Sequence, residues 1–216
     1  MSAYISDDIK AVLFDHDDTL VSTFGPKSAQ HKYIAKTYYG KDLTDAEIRQ
    51  HWGKPLEKLL CALFSTEDGK QALAYTLAHH QDYPKKLLAG TLPALRYLKA
   101  KGKLVGVITA TNRYSFDNDI LLHKVPRKLI DYTLTADETP YHKPDPKVFT
   151  PAIKWLTDRH IKPAETLYIG DSLLDMQAAR GAGFSFIGVE TGLTSNEDFM
   201  KAGANSVPTL ADLMSY

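Results

Sequence analysis

Apolar residues follow two different rhythms along this chain. From about Val21 to Leu88 they recur at helical spacing and no buried-strand run is found. On either side of that stretch, short segments are apolar at nearly every position: Ala11-Val12-Leu13-Phe14, Leu104-Val105-Gly106-Val107-Ile108, Thr166-Leu167-Tyr168-Ile169 and Phe184 to Val189. A strand apolar on both faces belongs inside a parallel sheet covered on both sides. Between these runs lie helix patterns at Leu92 to Lys101, near Ser115 to Leu122, from Asp145-Pro146 to about Arg159, and through Ala182. Further strands are expected at Tyr132 to Thr135 and near Asn205 to Val207, with a last helix from Thr209. Strand and helix alternating in this way predict an α/β fold, a doubly wound parallel sheet.

The intervening stretch predicts four helices. Gly25-Pro26 opens the first, and Gly40 stops it after Tyr38 or Tyr39. Thr44-Asp45-Ala46-Glu47 has capping-box spacing for the second, which Trp52-Gly53 ends. Pro55 at a first helical position starts the third, with Leu56, Leu59, Leu60 and Leu63 on one stripe. The fourth runs from near Glu67 to about Tyr83, before Pro84. Residues 1–20 and 89–216 are therefore expected to form one α/β core, into which 21–88 is inserted as a helical domain.

Composition narrows the partners. Lysine plus arginine equals aspartate plus glutamate, 26 each in 216 residues, so no overall charge draws nucleic acid or an anionic membrane. Cys61 is the single cysteine, which excludes an intrachain disulfide and suits a reducing, cytoplasmic location. The polar first ten residues are no signal peptide, and no apolar run has the length of a membrane span.

Chemistry is concentrated where the apolar runs end. Phe14 leads directly into Asp15-His16-Asp17-Asp18-Thr19, three carboxylates in four positions at the end of a buried strand. In parallel sheets ligands bind beyond the carboxyl ends of the strands. One of Asp15 and Asp17 can serve as a nucleophile or metal ligand and its neighbour as an acid/base, provided the strand has already broken into a turn. Ile108 is followed by Thr109 and Thr111. Lys143 lies in His142-Lys143-Pro144-Asp145-Pro146, and Ile169 runs into Gly170-Asp171-Ser172-Leu173-Leu174-Asp175. Each element alone has a plain reading as a turn, a helix cap or a surface lysine. Together they place hydroxyls, a cation and several carboxylates at one edge of the sheet. Those parts suit phosphoryl transfer through an aspartyl-phosphate, with Mg²⁺ and a lysine offsetting the phosphate charge.

With these motifs in this order, the sequence resembles the haloacid dehalogenase-like hydrolase superfamily, in particular its phosphoglycolate phosphatase and β-phosphoglucomutase-like group, over nearly its whole length. The resemblance implies Asp15 as nucleophile and Mg²⁺ ligand, and Asp17 as general acid/base and ligand through its carbonyl. It implies Thr109 and Lys143 as phosphate binders, Asp171 as a metal ligand, and Asp175 as a ligand or the partner of one. The 21–88 insertion matches the helical cap that closes over the site in that group. If it does so here, Lys54, the long cation in Trp52-Gly53-Lys54-Pro55, is expected to meet the substrate's leaving group. Where the family usually has glycine after the second aspartate, this chain has Asp18. The expected substrate is a small phosphorylated metabolite. A phosphomutase, a phosphonate hydrolase and a non-catalytic phosphate-binding or phospho-switch module are the competing readings.

Overall fold

The structure is a computed structural model and describes residues 5–54 and 56–214. The chain divides into two compact units. One comprises the residues up to Ser22 together with those from Leu87 onward, and the other runs from Thr23 to Lys86.

The first unit is built on a six-stranded sheet. In chain order its strands are β1 (Ala11–Phe14), then, after two short connecting strands β2 (Val21–Ser22) and β3 (Lys86–Leu87) that pair with each other, β4 (Leu104–Ile108), β5 (Tyr132–Leu134), β6 (Thr166–Gly170), β7 (Ser185–Val189) and β8 (Ser206–Val207). The spatial order is β5-β4-β1-β6-β7-β8, with every adjacent pair parallel. β1 is central. Ala11 aligns with Leu104 on one side and Thr166 on the other, and Phe14 with Val107 and Ile169.

The alternation of side chains along β1 explains its all-apolar sequence. Val12 and Phe14 pack into one core with Leu95, Val105, Val107, Phe116, Ile120 and Ile169. Ala11 and Leu13 pack into a second, with Ile108, Phe149, Leu156, Tyr168 and Ala179. A strand that feeds two cores has no solvent face on which to place a polar residue. The covering helices of this unit are α5 (Thr91–Ala100), α6 (Arg113–Leu122), α7 (Thr150–Thr157), α8 (Leu173–Gly181) and α9 (Asn196–Lys201).

The second unit holds α1 (Phe24–Tyr39), α2 (Asp45–His51), α3 (Leu56–Phe64) and α4 (Gly69–Ala78). Gly40, at φ 63°, ends α1 in the left-handed conformation that glycine adopts without a steric penalty. The Thr44–Glu47 capping box forms reciprocally, with the Thr44 side chain accepting from the Glu47 amide and the Glu47 carboxylate from the Thr44 amide. Pro55, expected to start α3, lies outside the described residues.

Several elements differ from the sequence expectation, among them the last helix expected from Thr209, which is a 3₁₀ turn, Leu210–Met214. α4 stops at Ala78 and the chain continues as a short 3₁₀ turn, His80–Asp82. Pro84 disfavours the α region at Tyr83, and a tight last turn satisfies the chain instead. The single helix expected from Pro146 is a 3₁₀ turn, Pro146–Phe149, followed by α7. Pro151 has no amide to bond back along a continuous helix, so α7 begins afresh with that proline in its first turn. α9 was not anticipated, although Ser195 and Asp198 form a capping box at its start.

Candidate active site

The first strand carries the site to the sheet edge and then turns sharply. The Asp15 amide still donates to the Ile169 carbonyl at 2.8 Å, as the next residue of the ladder would. Beyond it the chain folds back, with Leu20 and Val21 amides donating to the His16 carbonyl at 2.9 and 3.1 Å, and the Asp18 amide to the Val21 carbonyl at 2.6 Å. Asp18 sits at φ 54°. This explains the glycine usual at that position: the turn needs the left-handed region, which aspartate tolerates better than most side chains.

Between the two aspartates, the buried His16 ring packs edge-on against Phe116 at 5.0 Å. Its Nε2 lies 2.9 Å from Asp119 Oδ2 on α6.

Four strand ends supply the remaining groups. Single carboxylate oxygens of Asp15, Asp171 and Asp175 come within 4.8 Å of one another. The Lys143 ammonium donates to Asp15 Oδ1 at 2.6 Å and to the Ile108 carbonyl at 3.2 Å. It also lies 2.6 Å from Asp175 Oδ1, as an ion pair, and 5.2 Å from the centre of the Tyr168 ring. Tyr168 is fully buried and donates its hydroxyl to the same Ile108 carbonyl at 3.1 Å.

Asp175 caps α8 as well. Its Oδ2 accepts from the Ser172 hydroxyl at 2.5 Å and the Ser172 amide at 3.1 Å. Gly170 makes this possible, because a Cβ there would stand 2.5 Å from the Asp175 carboxyl carbon.

The two threonines after β4 divide their work. Thr111 donates its hydroxyl to Asp17 Oδ2 at 2.5 Å. The buried Thr109 accepts the Thr111 amide at 2.9 Å, which leaves its own hydroxyl proton to direct elsewhere. Lys54 belongs to the helical unit, where it is exposed and its Nζ lies 2.8 Å from His51 Nδ1. Of the residues singled out in the sequence, Asp15, Asp171, Asp175 and Lys143 thus meet directly, while Thr109 and Asp17 are linked through Thr111. Thr111 as the partner of Asp17, Tyr168 beneath Lys143 and Ser172 on Asp175 were not anticipated. Only the Ser172-x-x-Asp175 spacing carried a sequence signal.

Burial and mutual repulsion set the electrostatics of the cluster. Burial pushes the Asp15 carboxyl up to about 7, against the pull of Lys143 and with further push from Asp175 and Asp17. Asp171 is held well above the usual carboxylate range, first by burial and then by Asp175, Asp15 and Asp18. Burial alone would lower Lys143, but Asp15 and Asp175 outweigh it and keep the ammonium charged. A single lysine does not balance carboxylates crowded this closely. Hard oxygen donors grouped at this spacing fit a hard divalent cation, whose charge would lower both raised carboxyls.

Fold and site together define a parallel α/β protein with an acidic cluster and a buried lysine at one sheet edge, and comparison with known proteins identifies the family. Residues 12–189 match the haloacid dehalogenase-like hydrolase family model, and the chain belongs to that family. A Clostridium perfringens protein assigned as the pyrophosphatase PpaX is 30% identical over 185 residues, 84% of each chain. The bifunctional riboflavin kinase/FMN phosphatase of Arabidopsis thaliana is 30% identical over 185 residues, 82% of this chain and 48% of that one. A crystal structure from Bacteroides fragilis, assigned as a haloacid dehalogenase-like hydrolase, superposes with a TM-score of 0.78 at 29% identity, covering 95% of this chain and 99% of that one. No helix among the described residues is long and apolar enough to cross a membrane.

Proposed function

We propose that the protein is a Mg²⁺-dependent phosphatase of small phosphorylated metabolites that works by phosphoryl transfer to Asp15. The observation that carries this reading is the placing of Asp15 at a central strand end, with the Lys143 ammonium on one oxygen and Asp171 and Asp175 close by. Asp15, Asp171 and the Asp17 carbonyl would hold the metal. Asp175, whose two oxygens serve Lys143 and the start of α8, would position that lysine. Bound there, Mg²⁺ would reduce the repulsion between a carboxylate nucleophile and the phosphate it attacks.

In the first half-reaction an Asp15 oxygen attacks phosphorus, the bond to the leaving oxygen breaks, and Asp17 donates a proton to that oxygen. In the second, Asp17 takes a proton from water as the water oxygen attacks phosphorus, releasing inorganic phosphate and the Asp15 carboxylate. Thr109 and Lys143 hold the phosphate oxygens, with Lys143 supplying a permanent charge where negative charge develops. Lys54 is assigned to reading the leaving group.

Hydrolysis of p-nitrophenyl phosphate by the full chain tests this reading. Mg²⁺ should be required, chelation should abolish turnover, and Asp15→Asn should fall to background. Inorganic pyrophosphate and FMN head the substrate panel, since relatives are named for acting on them. Full activity after exhaustive chelation, or substantial activity in Asp15→Asn, would overturn the proposal.

A further inference from the structure

Two residues outside every motif touch the site from the loop that follows β7. Thr191 donates its hydroxyl to the Asp18 carbonyl at 2.5 Å, across 173 positions of sequence. Gly192 lies directly against Asp171, so that a Cβ at that position would stand 1.8 Å from Asp171 Oδ2 and 2.5 Å from its carboxyl carbon. Gly192 does not have a φ between +20° and +160°. The absence of a side chain there therefore serves space and not the turn.

The loop is anchored at both ends. The Glu190 amide donates to the Val207 carbonyl at 3.0 Å. The Glu190 carboxylate accepts from Ser206 Oγ at 2.8 Å and from Asn196 Nδ2 at 3.3 Å. Ser195 caps α9 immediately beyond. A segment clamped in this way can impose a position on what it touches.

We propose that Thr191 and Gly192 are positioning residues for the hydrolytic reaction. Thr191 fixes the turn that carries Asp17, and the bare backbone of Gly192 fixes the rotamer in which Asp171 faces the cation. The inference rests on the reading of Asp171 as a metal ligand and Asp17 as the acid/base. The turn needs such a brace because Asp18 occupies a backbone region unfavourable to side chains. Its amide is already tied to Val21, and the Thr191 hydroxyl ties its carbonyl. Asp171 needs one because oxygens of Asp15 and Asp175 crowd within 4.8 Å of its own, and residues that orient a metal ligand typically carry about 10- to 100-fold in metal affinity.

The test uses the full chain with Mg²⁺ alone, followed by calorimetric titration, and with p-nitrophenyl phosphate for kinetics. Gly192→Ala should bind Mg²⁺ at least about tenfold more weakly than the native protein. Thr191→Val should lower kcat at saturating Mg²⁺ by roughly five- to tenfold, the worth of one hydrogen bond, with KM and Mg²⁺ affinity little changed. Thr191→Ser, which keeps the hydroxyl, should restore kcat to within about twofold of native. If Gly192→Ala does not fold, the valine and serine pair decides, since a bond that only holds the loop together would not move kcat apart from KM. Native protein that neither binds Mg²⁺ nor turns over substrate overturns the underlying reading of the site. Native protein that does both, with Gly192→Ala binding Mg²⁺ normally or Thr191→Val matching Thr191→Ser in kcat, overturns the positioning role itself.

Discussion

His31, in α1 of the helical unit, makes the pH dependence of that unit calculable. Its ring is buried, lies edge-on 6.3 Å from Phe64, and has no hydrogen-bond partner for Nδ1. Burial, with a smaller contribution from Lys27, lowers its pKa from 6.5 to about 4. The folded chain therefore keeps the imidazole neutral while the unfolded chain protonates it. The associated stability is fully present above pH 6.5 and is lost as pH falls from 6.5 towards 4. At pH 4.5 the difference in proton uptake between the two states amounts to about 2.5 kcal/mol.

Replacing His31 by leucine removes the titration and keeps the site apolar. Trp52, packed edge-on against Phe24 at 5.0 Å in the same unit, reports the transition once Trp155 is changed to phenylalanine. Urea unfolding at pH 7.5 and 4.5 should then show that the background carrying His31 loses about 2.5 kcal/mol more than the leucine variant. Carboxylates that titrate in the same interval are common to both proteins and cancel in the difference. A difference below about 0.5 kcal/mol, or a His31 imidazole that titrates near 6.5 in the folded protein by NMR, would refute the reasoning.

Further outcomes follow from the site. Lys143→Met leaves buried carboxylates without their cation and should cost about 3–5 kcal/mol in urea unfolding with chelator at neutral pH. That cost should shrink towards pH 5 as the carboxyls take up protons, and a pH-independent loss would contradict the charge balance. Asp17→Asn should slow poor leaving groups by about 10²–10⁴-fold and nitrophenolate much less; equal losses in phosphoenzyme formation would remove its acid role. Asp18→Ala should be about 1 kcal/mol less stable than Asp18→Gly because of the positive φ, both having lost the same carboxylate; equal stabilities or the reverse order in calorimetry would show that the backbone conformation does not govern the turn. Lys54→Ala should slow acidic metabolites more than a neutral aryl phosphate, and equal losses in kcat/KM would leave Lys54 only its bond to His51.

The parallel strands were legible because a strand that packs on both faces must be apolar throughout, and β1, β4 and β6 are nearly so. Motif residues at strand ends were legible for a related reason: carboxylates and a lysine next to buried runs have few structural uses. What escaped was cooperation between distant backbones. Thr111 and Thr109 are equivalent in sequence, and only the path of the chain shows which one reaches Asp17. Tyr168 reads as one more core aromatic, and its bond to the Ile108 carbonyl beside Lys143 depends on β6 lying next to β1 and near β4. α9 is too short for its apolar spacing to stand out from a loop. The interruption before α7 was readable in Pro151, which the continuous-helix expectation passed over.

The central position of β1 also sets the order in which the molecule can assemble. Ala11 is synthesised well before its two sheet neighbours, Leu104 and Thr166. Until then the most apolar strand of the protein has no partner, and both pairings must close long loops, the slow kind of contact in folding. Thr23–Lys86 forms a compact unit of its own, so it can fold first and shorten the first of those loops. Asp15 is synthesised long before Lys143, Asp171 and Asp175, and its surroundings exist only once β6 has inserted. A chain truncated anywhere before Asp171 therefore carries Asp15 without the carboxylates that gather around it.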